Sequence, residues 1–238
     1  MRWSQASDIG NVRTVNEDSI CVRPELGFFA VADGMGGNLS GEVASRKILQ
    51  ELESFLISYP DQNQDPGVIL AEGVKRANKA VYVASFKSED YHGMGTTLSC
   101  IIVRGYTFYL AHVGDSRIYL FRNGTIEQLT RDHSMVQEMQ NEGVITEEEA
   151  RSHPYRHVLT RALGVELNME TDIDHFQLQP GDMLLLCSDG LSSFVNDETI
   201  LQVVLNAADL DQAVNELVQC ALDAGGADNI SVILVAVD

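Results

Sequence analysis

One local design, used three times, constrains this chain more than any other feature. An apolar run ends in an aspartate and meets glycine. It appears as Phe28-Phe29-Ala30-Val31-Ala32-Asp33-Gly34-Met35-Gly36-Gly37, as Ala111-His112-Val113-Gly114-Asp115-Ser116, and as Leu184-Leu185-Leu186-Cys187-Ser188-Asp189-Gly190. Each run predicts a buried strand, and a carboxylate at its end sits where the strand opens towards solvent. Gly34, Gly36 and Gly37 leave room for a ligand to approach the backbone. Any one Asp-Gly pair is equally an ordinary turn; the repetition is what argues for a shared site.

Periodicity places the other elements around these strands. Residues 3–9 and 19–23 alternate weakly and predict short strands, with a polar loop from Gly10 to Asp18 between them. Gly41 to Ser58 has apolar residues at 48, 52, 55, 56 and 59, the spacing of a helix with one buried face. Ser40 or Asn38 suits its cap. A second helix is expected from Val68 to Phe86, with Leu70, Val74, Ala77, Val81 and Ala84 in one stripe. Strands are expected at 96–103, 106–113, 116–121 and 125–129, read as an antiparallel meander. Asn123-Gly124 marks a tight hairpin.

Residues 130–165 break this rhythm. They are polar, carry His133, His153 and His157, and suit short helices at 134–142 and 146–152. A flap over the sheet and a plain surface excursion both fit. Strands are expected again at 171–177, 182–188 and 230–237, with helices at 197–206 and 210–224. Many antiparallel strands with helices grouped in pairs predict an α+β fold: two sheets face to face, with a helix pair on each outer side. No repeat or linker divides residues 1–238, so one domain is expected.

Composition narrows the function classes. The 238 residues include 16 basic and 35 acidic side chains, a formal charge of −19. That argues against nonspecific binding to nucleic acid or an anionic membrane. No run of 18 apolar residues exists, and the N-terminus lacks the apolar segment of a signal peptide. Cys21, Cys100, Cys187 and Cys220 are widely spaced, and buried free thiols are expected. A cytoplasmic protein is the expectation.

The acidic candidates are Asp33, Asp115 and Asp189 at strand ends, Asp228 after a helix, and Asp18 at a strand start. Carboxylates gathered at one end of a sandwich repel one another, so clustering predicts bound hard cations such as Mg²⁺ or Mn²⁺. Motifs for a phosphate-binding P-loop, a G-x-S-x-G nucleophile elbow, zinc or an EF-hand are absent. Arg13 lies five residues before Asp18 and is a candidate phosphate clamp, since arginine binds phosphate oxygens bidentately. Two cations with a nearby arginine suggest phosphoryl chemistry.

The motifs in order resemble the PPM family, the type-2C metal-dependent protein serine/threonine phosphatases, and above all its short bacterial members. Carrying the resemblance are Arg13 with Asn16-Glu17-Asp18, Val31 to Gly37, Gly41-Glu42 with Ala44-Ser45, Met94-Gly95-Thr96-Thr97, and His112 to Arg117. Further along come Asp132-His133-Ser134, His153-Pro154, Leu159 to Gly164, Cys187 to Leu191, and Gly226 with Asp228-Asn229. They span nearly the whole chain.

The resemblance implies a four-layer αββα sandwich with a flap over about 134–165. It implies a centre of two Mn²⁺ or Mg²⁺ ions, with a third, weaker one. Asp33 would bridge the two ions, and the Gly34 carbonyl would bind the second. Asp189 and Asp228 would hold the first, and Asp115 with Asp189 the third. Asp18 would hold metal-bound water, Arg13 would bind the phosphate, and Asn229 would support the ligands. His112 is expected to pack rather than catalyse. The implied reaction is hydrolysis of phosphoserine or phosphothreonine in proteins by a metal-bridging hydroxide, without a phosphoenzyme, by a monomer. Hydrolysis of small phosphorylated metabolites is the alternative reading. A non-catalytic regulator with the same fold would have lost a metal ligand, and none is lost here. One position departs from the pattern: bacterial members often carry histidine after Asp-Gly-Met-Gly-Gly, where this chain has Asn38. A proton for the leaving group would then come from metal-bound water or a flap histidine.

Overall fold

The computed structural model describes residues 1–36, 40–59 and 64–237. Its strands are β1 (Arg2–Asp8), β2 (Asp18–Arg23), β3 (Phe28–Met35), β4 (Gly95–Thr96), β5 (Leu98–Arg104), β6 (Thr107–Val113), β7 (Arg117–Arg122), β8 (Thr125–Gln128), β9 (Asp172–Gln177), β10 (Met183–Cys187) and β11 (Ile230–Ala236). Its α-helices are α1 (Ser40–Ser58), α2 (Pro66–Ser85), α3 (Met135–Asn141), α4 (Glu147–Ser152), α5 (Asp189–Ser192), α6 (Asp197–Asn206) and α7 (Leu210–Asp223). One sheet runs β1-β11-β10-β7-β8. The other runs β2-β3-β5-β6-β9, with the short β4 paired to β3. No helix among the described residues is long and apolar enough to cross a membrane.

Strand alternation builds three apolar layers. On β3, Phe28, Ala30 and Ala32 face α1 and α2, where they meet Ile48, Leu52, Leu70, Val74 and Val81. Phe29 and Val31 point the other way, into the space between the sheets, and join Ile101, Phe108, Ile118, Leu184, Leu186 and Ile233. On β10, Leu185 and Cys187 face α6 and α7, beside Ile200, Val214 and Leu217. A strand buried on both faces needs apolar residues at consecutive positions, which is why these segments read as continuous runs. Each large side chain so buried contributes about 1.5–3 kcal/mol.

The expected meander is corrected in one respect that matters for function. Strands β5 and β6 form a hairpin in one sheet, with Leu98 opposite Val113. Strands β7 and β8 form a hairpin in the other, with Tyr119 opposite Gln128. The chain therefore changes sheets at Gly114-Asp115, returns between β8 and β9, and crosses again between β9 and β10. A period-two pattern specifies which face of a strand is apolar but not which sheet the strand joins.

Element ends differ in small ways. Ser40 lies within α1 rather than capping it, and Asn38 lies outside the described residues. Helix α2 starts at Pro66, capped by the Asp65 carboxylate on the N–H groups of Gly67 and Val68. Proline suits this first position because its missing donor is not needed there. A short helix, α5, follows β10 directly. The four cysteines are free, and Cys21, Cys100 and Cys187 are buried.

The flap helices are capped by their own sequence. Ser134 caps α3, and Thr146 with Glu149 forms a reciprocal capping box on α4. Both flap ends are tied to the sandwich. The Thr96 and Leu163 backbones exchange two 2.9 Å hydrogen bonds, and His133 N–H donates to the Gly114 carbonyl at 2.7 Å.

Candidate functional site

The candidate aspartates arrive from separate elements at one edge between the sheets. Asp18 and Asp33 are cross-strand partners in the β2–β3 register. Asp189 opens α5, immediately after β10. Asp228 precedes β11, and Asp115 sits on the crossing from β6 to β7. Their electrostatics show the convergence. Burial, then the charges of Asp18, Asp189, Asp115 and Asp228 in that order, pushes the Asp33 carboxyl well above its usual range. Burial, then the Asp189 charge, does the same to Asp115. Burial also pushes Asp18 up, to about 7, with Asp189 and Asp228 adding to the shift and a hydrogen bond from Ser188 opposing it.

Neighbouring hydroxyl and amide groups hold this cluster. Ser188 Oγ donates to Asp18 Oδ2 at 2.7 Å. Thr97 ties down the Asp33 backbone from both sides. Its Oγ1 accepts the Asp33 N–H at 2.9 Å, and its own N–H donates to the Asp33 carbonyl at 2.8 Å. Asn229, nearly fully buried, accepts the Glu17 N–H at 2.8 Å and donates to the carbonyls of Ile9 and Val15 at 2.9 and 3.0 Å. The loop carrying Arg13 and Asp18 is thereby pinned to the start of β11. Gly10 is part of the same fit: a Cβ there would lie 2.3 Å from the Asp228 carbonyl oxygen.

Gly34 has a different role from the one its neighbours suggested. The space beside its Cα is filled by the chain itself. A Cβ would stand 2.0 Å from the Gly41 carbonyl oxygen and 2.7 Å from that of Glu17. Close packing of α1 against the end of β3, not room for a ligand, is what requires glycine there. The Glu17 carboxylate meets the Gly41 N–H in the first turn of α1, where the helix dipole favours negative charge.

The residues suit hard cations. Asp18 Oδ1 and Asp189 Oδ1 are buried with no hydrogen-bond partner among the described residues. Burial, then the Asp228 charge, pushes the Asp189 carboxyl up, with a hydrogen bond to Asp33 opposing the shift. Buried, mutually repelling carboxylates with orphaned oxygens need protons or cations, and oxygen donors of this kind select Mg²⁺ or Mn²⁺. The side chains are not drawn together as a finished coordination shell: among the described residues no three stand at ligand spacing. Instead, Asp228 Oδ2 accepts from Arg13 Nη2 at 2.8 Å.

The sequence reading singled out Asp18, Asp33, Asp115, Asp189, Asp228 and Arg13; in the structure the charges of the other four aspartates all act on Asp33, and Arg13 pairs with Asp228. It did not single out Thr97, Ser188 or Glu17, which lie inside the quoted motifs but carry no charge pattern or spacing of their own that marks them. Among the histidines of this segment, His157 has its Nδ1 4.0 Å from Asp189 Oδ2. His112 is fully buried and contacts Ser99 and the Arg131 carbonyl, so it packs as expected.

Comparison with known proteins identifies the class. The profile of the Protein phosphatase 2C family matches residues 11–234. The serine/threonine protein phosphatase PstP of Mycobacterium tuberculosis is 41% identical across all of this chain, which spans 45% of that relative's length. The serine/threonine phosphatase stp of Listeria welshimeri is 36% identical over 96% of this chain and 93% of its own. The crystal structure of the catalytic domain of PstP in complex with two manganese ions superposes with a TM-score of 0.90 at 38% identity, covering 100% of this chain and 98% of that one. This chain belongs to the protein phosphatase 2C family.

Proposed function

We propose that this chain hydrolyses phosphoserine and phosphothreonine in proteins, using two Mn²⁺ or Mg²⁺ ions. The observation that carries the proposal is the buried carboxylate cluster with its orphaned oxygens at Asp18 and Asp189. The names of the relatives and the two manganese ions in the PstP structure support it. Asp33, Asp189, Asp228 and the Gly34 carbonyl would hold the two cations, and Asp115 with Asp189 a third. Bound cations of this kind activate water and neutralise charge on a phosphate.

The chain's own groups do the remaining work. Arg13 uses one of its guanidinium N–H groups on Asp228, and its other donors suit phosphate oxygens. Asp18, held by Ser188, orients water by accepting its hydrogen bonds. Thr97 and Asn229 keep Asp33 and the Arg13 loop in place.

The test is hydrolysis of p-nitrophenyl phosphate and of a phosphothreonine peptide with Mn²⁺, with excess chelator, and by Asp33→Ala. Chelation should abolish turnover, and the substitution should lower kcat on the order of 10³-fold or more, several kcal/mol of barrier. Turnover that survives both would overturn the proposal. Turnover of small phosphorylated metabolites in preference to any phosphopeptide would favour the alternative substrate class.

A further inference from the structure

Asp115 stands on the crossing from β6 to β7, and the residues on each side of it are held by other parts of the chain. On one side, His133 takes both polar groups of Gly114. Its backbone N–H donates to the Gly114 carbonyl at 2.7 Å, and its ring Nδ1 accepts the Gly114 N–H at 3.1 Å. On the other side, the Ser116 hydroxyl lies 2.6 Å from the Thr97 hydroxyl, and the Ser116 carbonyl accepts from Ser99 Oγ at 2.7 Å. Arg117 then grips Asp132, the residue before His133, through Nε at 2.9 Å and Nη2 at 2.7 Å. Two consecutive residues, Asp132 and His133, thus bracket Asp115 from a distant stretch of chain.

The hold on Gly114 matters most for where Asp115 points. Gly114 has φ +108°, and a Cβ there would lie 2.5 Å from Thr97 Cγ2. Glycine moves easily out of such a conformation, so what holds it decides the local path. The carbonyl that His133 holds belongs to the planar peptide unit leading into Asp115. Fixing that plane restricts the directions in which the Asp115 side chain can leave the backbone. The imidazole is itself fixed. His133 is 7% exposed, its ring packs against that of His112 with centroids 4.8 Å apart, and Nε2 faces Asp172 Oδ2 at 3.1 Å. Arg161 holds the other oxygen of Asp172 at 3.1 Å.

We infer that His133 is a positioning residue for Asp115: its Nδ1, through the Gly114 N–H, aims the Asp115 carboxylate at the cation it would share with Asp189. The inference rests on the reading above, in which these two aspartates hold a third ion, and deepens it. Groups one step removed from a metal ligand typically change metal affinity about 10–100-fold.

The experiment follows free Mn²⁺ by electron paramagnetic resonance while the full chain is titrated. It compares the unsubstituted protein with His133→Asn, His133→Gln, His133→Leu and Asp115→Asn. Asparagine keeps an acceptor near the Nδ1 position. Glutamine puts its amide near the Nε2 position instead, and leucine has no acceptor, so both leave the Gly114 N–H without a partner. The unsubstituted protein should bind two ions tightly and one weakly, and Asp115→Asn should lack the weak one. In the glutamine and leucine variants the weak site should loosen by about ten-fold or more while the tight sites hold within about two-fold. The asparagine variant should match the unsubstituted protein. A weak site unchanged in the glutamine and leucine variants, equally loosened in the asparagine variant, or loosened only together with the tight sites overturns the inference. So does a failure of both acceptor-less variants to fold where asparagine folds, since the contact would then serve folding alone. Equal binding by Asp115→Asn and the unsubstituted protein would show that Asp115 holds no ion, and the inference would fall with that part of the reading. An unsubstituted protein that binds no Mn²⁺ would remove the metal reading as a whole.

Discussion

At the residue scale, protonation states are set by who donates to whom. His133 shows this outside the aspartate cluster. Its Nδ1 accepts the Gly114 N–H at 3.1 Å, so the ring proton sits on Nε2, which faces Asp172 at 3.1 Å. Burial holds its pKa below the ordinary 6.5, although the Asp172 carboxylate pulls upward. The folded protein therefore keeps this ring neutral where the unfolded chain already takes a proton. The stability it contributes is fully present above pH 6.5 and is lost as the pH falls from there towards the lower folded value. His133→Asn keeps an acceptor near the Nδ1 position and cannot titrate. Melting curves between pH 7 and 5.5, at fixed salt and Mn²⁺, should show the unsubstituted protein losing more stability than this variant. Parallel losses would show that His133 is not the titrating group. The residue identities at the cluster were legible in the sequence because aspartate at the end of an apolar run is an unusual placement. Ser188 and Thr97 were not, because a hydroxyl's value there lies wholly in which carboxylate or amide it meets.

At the element scale, the site is assembled by ties between segments distant in sequence. Asn229 holds three backbone groups of the 9–17 loop from the start of β11. Asn229→Ala would leave those groups unpaired in a nearly dry environment, at about 2–4 kcal/mol in total. It would also free Arg13 and Asp18 to shift, and a displacement near 1 Å can lower turnover about 100-fold. Denaturant unfolding and p-nitrophenyl phosphate turnover should both respond. Lost activity with unchanged stability would instead give Asn229 a direct part in the chemistry. Helices α1, α2, α6 and α7 were legible from apolar spacing, and the expected stripe from Leu70 to Ala84 is buried throughout. The sheet membership of β7 and β8 was not. The turn at Gly114-Asp115 looks the same in sequence whether the next strand pairs back or crosses to the other sheet.

At the scale of the whole molecule, a chain of formal charge −19 buries several of its carboxylates in one place. Such a cluster opposes folding unless protons or cations neutralise it, so stability should be linked to cation binding. Mn²⁺ at 100 times its dissociation constant should stabilise the protein by about 2.7 kcal/mol if one site dominates. Asp33→Asn should lose most of that gain. Thermal melts with Mn²⁺, matched against potassium chloride at equal ionic strength, check this; an equal gain in the variant would mean general screening rather than a site. By itself the sequence determined the layered α+β architecture, the helix positions and the identity of the candidate ligands, because burial and periodicity are local properties of the chain. Only the tertiary structure decided that Gly34 is bare to admit Gly41 and that Asp115 reaches the cluster by a crossing between sheets. Those facts depend on contacts between residues far apart in the chain, which no local pattern records. The repeated strand ends announced that a site exists, and packing of the two sheets decided where its parts meet.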